Sequence, residues 1–163
     1  MKTIIIPADF TTNSLSIAEA AVRSSDEKCR LVFIHMFRLP SDIQDLLFST
    51  YRKKESELIG ADFREGCQEL KAMFEYRVHD IQMEFIYGNT LSLLKSHLDA
   101  YQTSQIAYSE ELGVQALSKT SVDIPSILHK TGYELLNVDA LLETNEYFTN
   151  SESHSYENAE KSS

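Results

Sequence analysis

Short unbroken apolar runs alternate along this chain with longer segments in which apolar residues recur every three or four positions. Residues 3–7 hold three consecutive isoleucines, Ile4, Ile5 and Ile6. A continuous β-branched run of this kind predicts a parallel strand buried on both faces. The polar stretch 9–14 follows, rich in residues that cap helices. Leu15, Ala18 and Val22 then repeat at helical spacing, with Ile17 and Ala21 beside them. Residues 24–28 break this helix, and 30–37 read as a second strand around Leu31-Val32-Phe33-Ile34. From 41 to about 78 the pattern is helical, with Ile59, Phe63, Cys67, Leu70 and Phe74 in one stripe, and residues 46–51 read either as part of it or as a separate turn or loop. Gly60 and Gly66 each weaken that helix by about 1 kcal/mol relative to Ala.

The second half repeats the alternation. His79 and Asp80 are expected to end the long helix, and 81–87 to form a third strand. Ile81, Met83, Phe85 and Tyr87 alternate there with Gln82, Glu84 and Ile86, as on a sheet edge with one face partly exposed. The turn at Gly88 leads into a helix with Leu91, Leu94, Leu98 and Tyr101 on one side. Residues 103–108 form a short fourth strand. A polar segment leads from there to a short helix, with Ser121 as its expected cap and Pro125 in its first turn. Gly132 stops it, and 133–138 form a fifth strand. After Leu142 the pattern ends.

A β-α-β-α-β-α-β-α-β order predicts an open, mostly parallel sheet with helices on both faces. Right-handed crossovers leave few topologies. In the order 3-2-1-4-5 the strand order reverses between the first and fourth strands. Ligands in such sheets bind beyond the strand C-termini at that reversal. It sets the 7–12 loop beside the 109–120 segment.

Composition narrows this further. At 163 residues with 42% apolar residues, the chain has enough apolar mass for one substantial core. We read residues 1–142 as one α/β domain and 143–163 as an acidic, Ser/Asn-rich disordered tail. The net charge of −10 argues against nucleic acid as a partner, since binding it requires Lys and Arg to replace counterions. The run after Lys2 is too short for a signal-peptide core, and no stretch approaches a membrane span. A cytoplasmic location without membrane association is the expectation. Cys29 and Cys67 both fall in apolar periodic segments, where they read as buried free thiols.

Several pieces, in order, resemble the universal stress protein family. The opening Ile4-Ile5-Ile6-Pro7-Ala8-Asp9-Phe10, with Asn13-Ser14-Leu15 behind it, is similar to that family's start. Phe33-Ile34-His35-Met36 resembles its strand-two ending, and Tyr87-Gly88-Asn89-Thr90 the glycine turn after its third strand. Residues 121–138 resemble its last helix and strand. The resemblance spans roughly residues 1–138. It implies nucleotide-site positions at Asp9, beside the nucleoside, and at Met36, lining the adenine site. Gly88, Ser109, Gly113, Thr120 and Ser121 are the other positions it implies.

The family's ATP-binding members carry a loop of the pattern G-x-x-G-x9-G-[ST] after strand four. Here the stretch from Ser109 to Ser121 retains only Gly113, and Thr120 stands where the last glycine should. Phosphate loops need glycine so that backbone N–H groups can approach the anion. Glu110 and Glu111 are expected to satisfy a helix N-terminus there and to repel a triphosphate. Lys119 is the nearby cation.

Other catalytic patterns are missing. There is no G-x-S-x-G, no G-x-x-x-x-G-K-[ST] and no G-x-G-x-x-G. The histidines show no metal spacing with one another or with the cysteines. His35 reads as a structural histidine in a core strand, and Asp9 as either a ligand-site residue or a helix cap. The expected function is a non-catalytic binding or regulatory module of universal stress protein type, without a cofactor. The resemblance implies a homodimer through the last strand, 133–138. The alternatives are an ATP-binding stress protein with an unusual phosphate loop and a crevice that takes another small ligand, apolar or adenine-like, without phosphates.

Overall fold

The computed structural model describes residues 1–39 and 55–144. Five strands form one sheet: β1 (Lys2–Pro7), β2 (Cys29–Phe37), β3 (Val78–Tyr87), β4 (Gln105–Tyr108) and β5 (Leu135–Asn137). Their order is β3-β2-β1-β4-β5, and every adjacent pair is parallel. The described residues include helices α1 (Thr12–Arg23), α2 (Ala61–Met73) and α3 (Leu91–Ala100). A 3-10 helix covers Pro125–Lys130, and residues 139–144 are helical.

The alternation of side chains along a strand divides the core in two. Ile4, Ile6, Leu31 and Phe33 face α1 and α2, where they meet Ile17, Ala21, Phe63 and Leu70. Ile5, Val32, Ile34 and Met36 face the other way, onto Leu94, Leu98, Ile124 and Leu128 from α3 and the 3-10 segment. Because both faces of β1 and β2 are covered, their sequences are continuously apolar rather than alternating. β3 is an edge strand. Its Ile81, Met83 and Phe85 pack onto the first core, which explains the alternation there.

Gly66 has a packing role that its helix propensity hides. A Cβ there would lie 2.3 Å from Leu15 Cδ1, so the missing side chain lets α1 and α2 approach.

Several boundaries differ from the expectation. His79 and Asp80 do not end a helix. β3 begins at Val78, and Asp80 bonds Arg30 Nε of β2 at 3.2 Å. The helix ends earlier, at Met73, where Phe74 N donates to Leu70 O at 3.1 Å. Ser121 does not cap the last helical segment. It bridges Phe37 in an antiparallel pair, and the 3-10 turns start at Pro125 behind Ile124. β5 is three residues long rather than six. The expected helix over 41–54 and the tail from 145 onward lie outside the described residues. No helix among the described residues is long and apolar enough to cross a membrane.

Candidate functional site

The reversal of strand order lies between β1 and β4, so the crevice beyond their C-terminal ends is the place to look. The turn after β1 reaches it first. Phe10 adopts a left-handed backbone conformation (φ 59°), which costs about 1 kcal/mol for a residue with a side chain. Its ring meets Phe63 edge-on at 5.4 Å and Phe85 at 5.3 Å, and this packing holds the turn. The turn directs the Asp9 side chain inward, where it is 3% exposed.

Both carboxylate oxygens of Asp9 are engaged. Oδ1 accepts from the Thr11 hydroxyl at 2.5 Å, the Ser14 hydroxyl at 3.0 Å and the Thr11 amide at 3.2 Å. Oδ2 accepts from the Gln115 amide at 2.9 Å. Burial pushes this carboxyl up, but the bonds from Gln115, Thr11 and Ser14 together outweigh it. They hold Asp9 below the ordinary carboxylate value. Asp9 therefore organises the start of α1 and also ties it to the segment after β4.

That segment, residues 109–122, lies across the crevice. Gln115 meets the turn after β1, and residues 120–122 pair with the end of β2. Arg38 N donates to Thr120 O at 2.8 Å, and Val122 N to Met36 O at 2.8 Å. Most of its amides already have acceptors inside the chain. Leu112 N donates to Ser109 Oγ, Glu110 N to Asp139 Oδ2, and Gly113 N to Ser109 O. Leu117 N and Ser118 N share Ser121 Oγ, and Thr120 N donates to Ser118 Oγ.

Two carboxylates, Asp9 and Asp139, thus hold amides of the loop that the resemblance assigns to phosphate. Glu110 and Glu111 were expected in this role. No helix starts at this point, however, and residues 110–112 form a turn. Asp139 anchors that turn by also accepting the Ser109 hydroxyl. It lies beyond β5, thirty residues from Ser109 in the chain, and no local pattern marked it.

Ser121 and His35 form the second centre. His35 is 2% exposed, at the C-terminal part of β2. Its Nδ1 lies 2.6 Å from Ala8 O and its Nε2 2.8 Å from Ser121 Oγ. A carbonyl only accepts, so Nδ1 carries the hydrogen. Nε2 of the neutral ring then accepts from the Ser121 hydroxyl. Burial holds His35 below the ordinary imidazole value. The Ala8 bond and the Asp9 charge oppose that shift but do not reverse it.

A serine hydroxyl on a histidine nitrogen suggests nucleophile and base. Here the serine oxygen also accepts Leu117 N at 2.9 Å and Ser118 N at 3.2 Å. One donated and two accepted bonds use both lone pairs of the hydroxyl. All its hydrogen-bonding capacity is thus used to tie residues 117–118 to His35.

Met36 is fully buried in the second core. Gly88, at φ 148°, donates its amide to Phe37 O at 2.7 Å, and Phe37 bridges Ser121. The two are linked only through the end of β2. Thr120 Oγ1 bonds Ser118 Oγ at 2.8 Å. Gly113 is left-handed at φ 62°.

Two cavities flank the segment. One of about 250 Å³ is lined by His35, Gln115, Ala116, Ser121 and Asp123, among others. The other, about 490 Å³, lies between the end of β4 and the 3-10 helix, with Ser109, Glu110, Val114, Asp123 and His129 in its wall. Among the described residues, no three His, Cys, Asp or Glu side chains converge as a metal set.

A parallel 3-2-1-4-5 sheet with a loop crossing its β1/β4 crevice defines an open, doubly wound α/β fold. More narrowly, the chain has the fold of the universal stress protein structures. The universal stress protein UspA from Lactobacillus plantarum superposes with a TM-score of 0.56 at 12% identity, over 83% of this chain and 96% of that one. Hypothetical protein MJ0577 gives 0.56 at 11% identity, covering 83% and 94%. Hypothetical protein PH0823 gives 0.52 at 16% identity, covering 83% and 93%. No protein-family model matches the chain, and no curated protein matches it by sequence.

Proposed function

We propose that this chain is a universal-stress-protein-type module that binds or regulates without catalysis and does not hold ATP in the manner of that family. The observation that carries this reading is the internal use of Asp9. One oxygen organises the start of α1 and the other takes the Gln115 amide, and the side chain is buried beneath that segment, so a ribose would have to displace the segment to reach it. The amides held by Asp139 and Ser121 support the same reading, since anion binding needs N–H groups that face the ligand.

A homodimer through the last strand belongs to the proposal. β5 is a sheet edge with half-buried Leu135 and Leu136, and pairing such an edge would protect it. Light scattering that returns the mass of one protomer removes the dimer from the reading.

The test of the main reading is calorimetric titration of nucleotide-stripped, folded protein with Mg-ATP and, separately, adenosine. No heat with either is the expected result. ATP binding would overturn it in favour of a nucleotide-binding stress protein with an unusual loop. Binding of adenosine alone would mean that the crevice accepts a nucleoside while the phosphate loop does not work.

A further inference from the structure

We propose that His35 is a proton-operated latch on residues 114–122: a proton taken up at Nε2 displaces the Ser121 hydroxyl hydrogen from its acceptor and frees this segment from the end of β2. The argument is one of hydrogen-bond capacity. In the neutral state every group is matched. Nδ1–H donates to Ala8 O, Nε2 accepts from Ser121, and Ser121 Oγ accepts from Leu117 N and Ser118 N. When a solvent proton adds to Nε2, that nitrogen becomes a donor. Ser121 Oγ then faces three donors with two lone pairs, and its own hydrogen has lost its acceptor.

The ring cannot flip out of the conflict, because both nitrogens of the cation donate and the ring is 2% exposed. Something must open, and the 114–122 segment is held by fewer ties than the strands. On the β2 side these are the Arg38–Thr120 and Val122–Met36 backbone bonds, and on the β1 side the Gln115 bond to Asp9.

The groups facing His35 set the balance. Asp9, from the turn after β1, favours the cation through its charge. Asp123, from the far end of the segment, lines the same 250 Å³ cavity. From β2 and the turn after β1 come the rings of Phe37 at 4.7 Å and Phe10 at 6.2 Å, which offer the cation no acceptor in the ring plane. Burial holds His35 below 6.5 despite Asp9. The open segment, with His35 wetted, therefore binds the proton better than the closed one. Falling pH favours opening, which uncovers Asp9 and enlarges the cavity.

The experiment is amide hydrogen exchange followed by NMR at pH 7.5 and 5.5, with rates corrected for intrinsic exchange. Protection at Leu117 and Ser118 should fall several-fold, up to about the tenfold that one proton allows per pH unit. At both pH values protection at Leu117 and Ser118 should stay well below that at Ile5 and Val32, which need the sheet itself to unfold. His35→Gln, which cannot titrate, should remove the pH dependence at Leu117 and Ser118. It also separates His35 from His129, which lines the adjoining cavity. Ser121→Ala should leave both amides poorly protected at either pH. If His35→Gln does not fold, the His35 ring can be titrated directly in the unmodified protein, with its midpoint expected to coincide with the loss of Leu117 protection. Constant protection across this range would overturn the proposal. So would protection at Leu117 and Ser118 as high as that at Ile5 and Val32, which would mean that the segment opens only when the sheet unfolds.

Discussion

The carboxylate of Asp9 and the amide of Gln115 meet at 2.9 Å across 106 positions of sequence. This bond joins the first turn of the sheet, after β1, to the segment that crosses the crevice after β4. It lies at the reversal of strand order, where a ligand of this fold class would approach.

Removing that carboxylate should be costly. In Asp9→Ala the Gln115 and Thr11 amides and two hydroxyls lose a common acceptor in a buried place. Buried donors left without partners cost about 1–3 kcal/mol each, softened where water enters. We expect a loss of about 2–4 kcal/mol in urea unfolding. Ser14→Ala, which removes one of these bonds, should lose less than half as much. Equal losses would mean that Asp9 does not bridge the two segments.

Acid should destabilise the protein in two separate windows. The folded-state value of His35 lies below 6.5, so the unfolded chain takes up this proton first as pH falls. Stability from the neutral ring is complete above about 6.5 and declines below it. Asp9 also lies below its ordinary 3.8, so its contribution is complete above that value and is lost as pH drops further. Urea midpoints at pH 7.5, 5.5 and 3.5 should fall in that order. His35→Gln should flatten the first interval, while the Asp9 part of the second remains. An unchanged first interval in this variant would assign the loss to another histidine.

Gly88→Ala should cost about 1–3 kcal/mol. Its φ of 148° disfavours any side chain, and a Cβ would lie 2.2 Å from Leu93 Cδ2. Gly60→Ser is the comparison. Gly60 sits at the N-cap of α2 with open space around it, and serine caps at least as well as glycine there. The change should stay within about 0.5 kcal/mol. Thermal unfolding of the two variants side by side checks both expectations.

Cys67 should be slow to alkylate in the folded protein. Burial pushes its thiol up to about 11, against a smaller opposing effect from Arg64. The reactive thiolate is thus scarce near neutral pH. Iodoacetamide at pH 8, followed by peptide mass analysis, should label Cys67 at least tenfold more slowly in buffer than in denaturant. Rapid labelling of the folded chain would mean that the α1–α2 side opens readily.

Much of the architecture was legible from local pattern. Ile4 to Ile6 and Leu31 to Ile34 read as strands because a strand buried on both faces needs no polar positions. Of the stripe Ile59, Phe63, Cys67, Leu70 and Phe74, the middle three are buried on α2, while Ile59 precedes its Gly60 cap and Phe74 caps its end. The end of that helix was misplaced, because Val78, His79 and Asp80 carry no breaker. Pairing with β2 draws them into the sheet. Ser121 read as a cap because serine before an acidic residue is a common start signal. It became instead the hub beneath His35. Asp9 was legible as a cap or a site residue. Its second bond was not, since nothing near Gln115 signals a distant carboxylate.

The sequence by itself determined the kind and order of the elements, and with them the parallel sheet and the place of its crevice. Hydrophobic period is a local property, and right-handed crossovers leave little choice of topology. Only the tertiary structure decided how the crevice is filled. The bonds from Asp9 to Gln115, His35 to Ser121 and Ser109 to Asp139 join residues between 30 and 106 positions apart. Such pairs leave no periodic trace. They exist because buried amides and hydroxyls must find partners wherever the folded chain brings them.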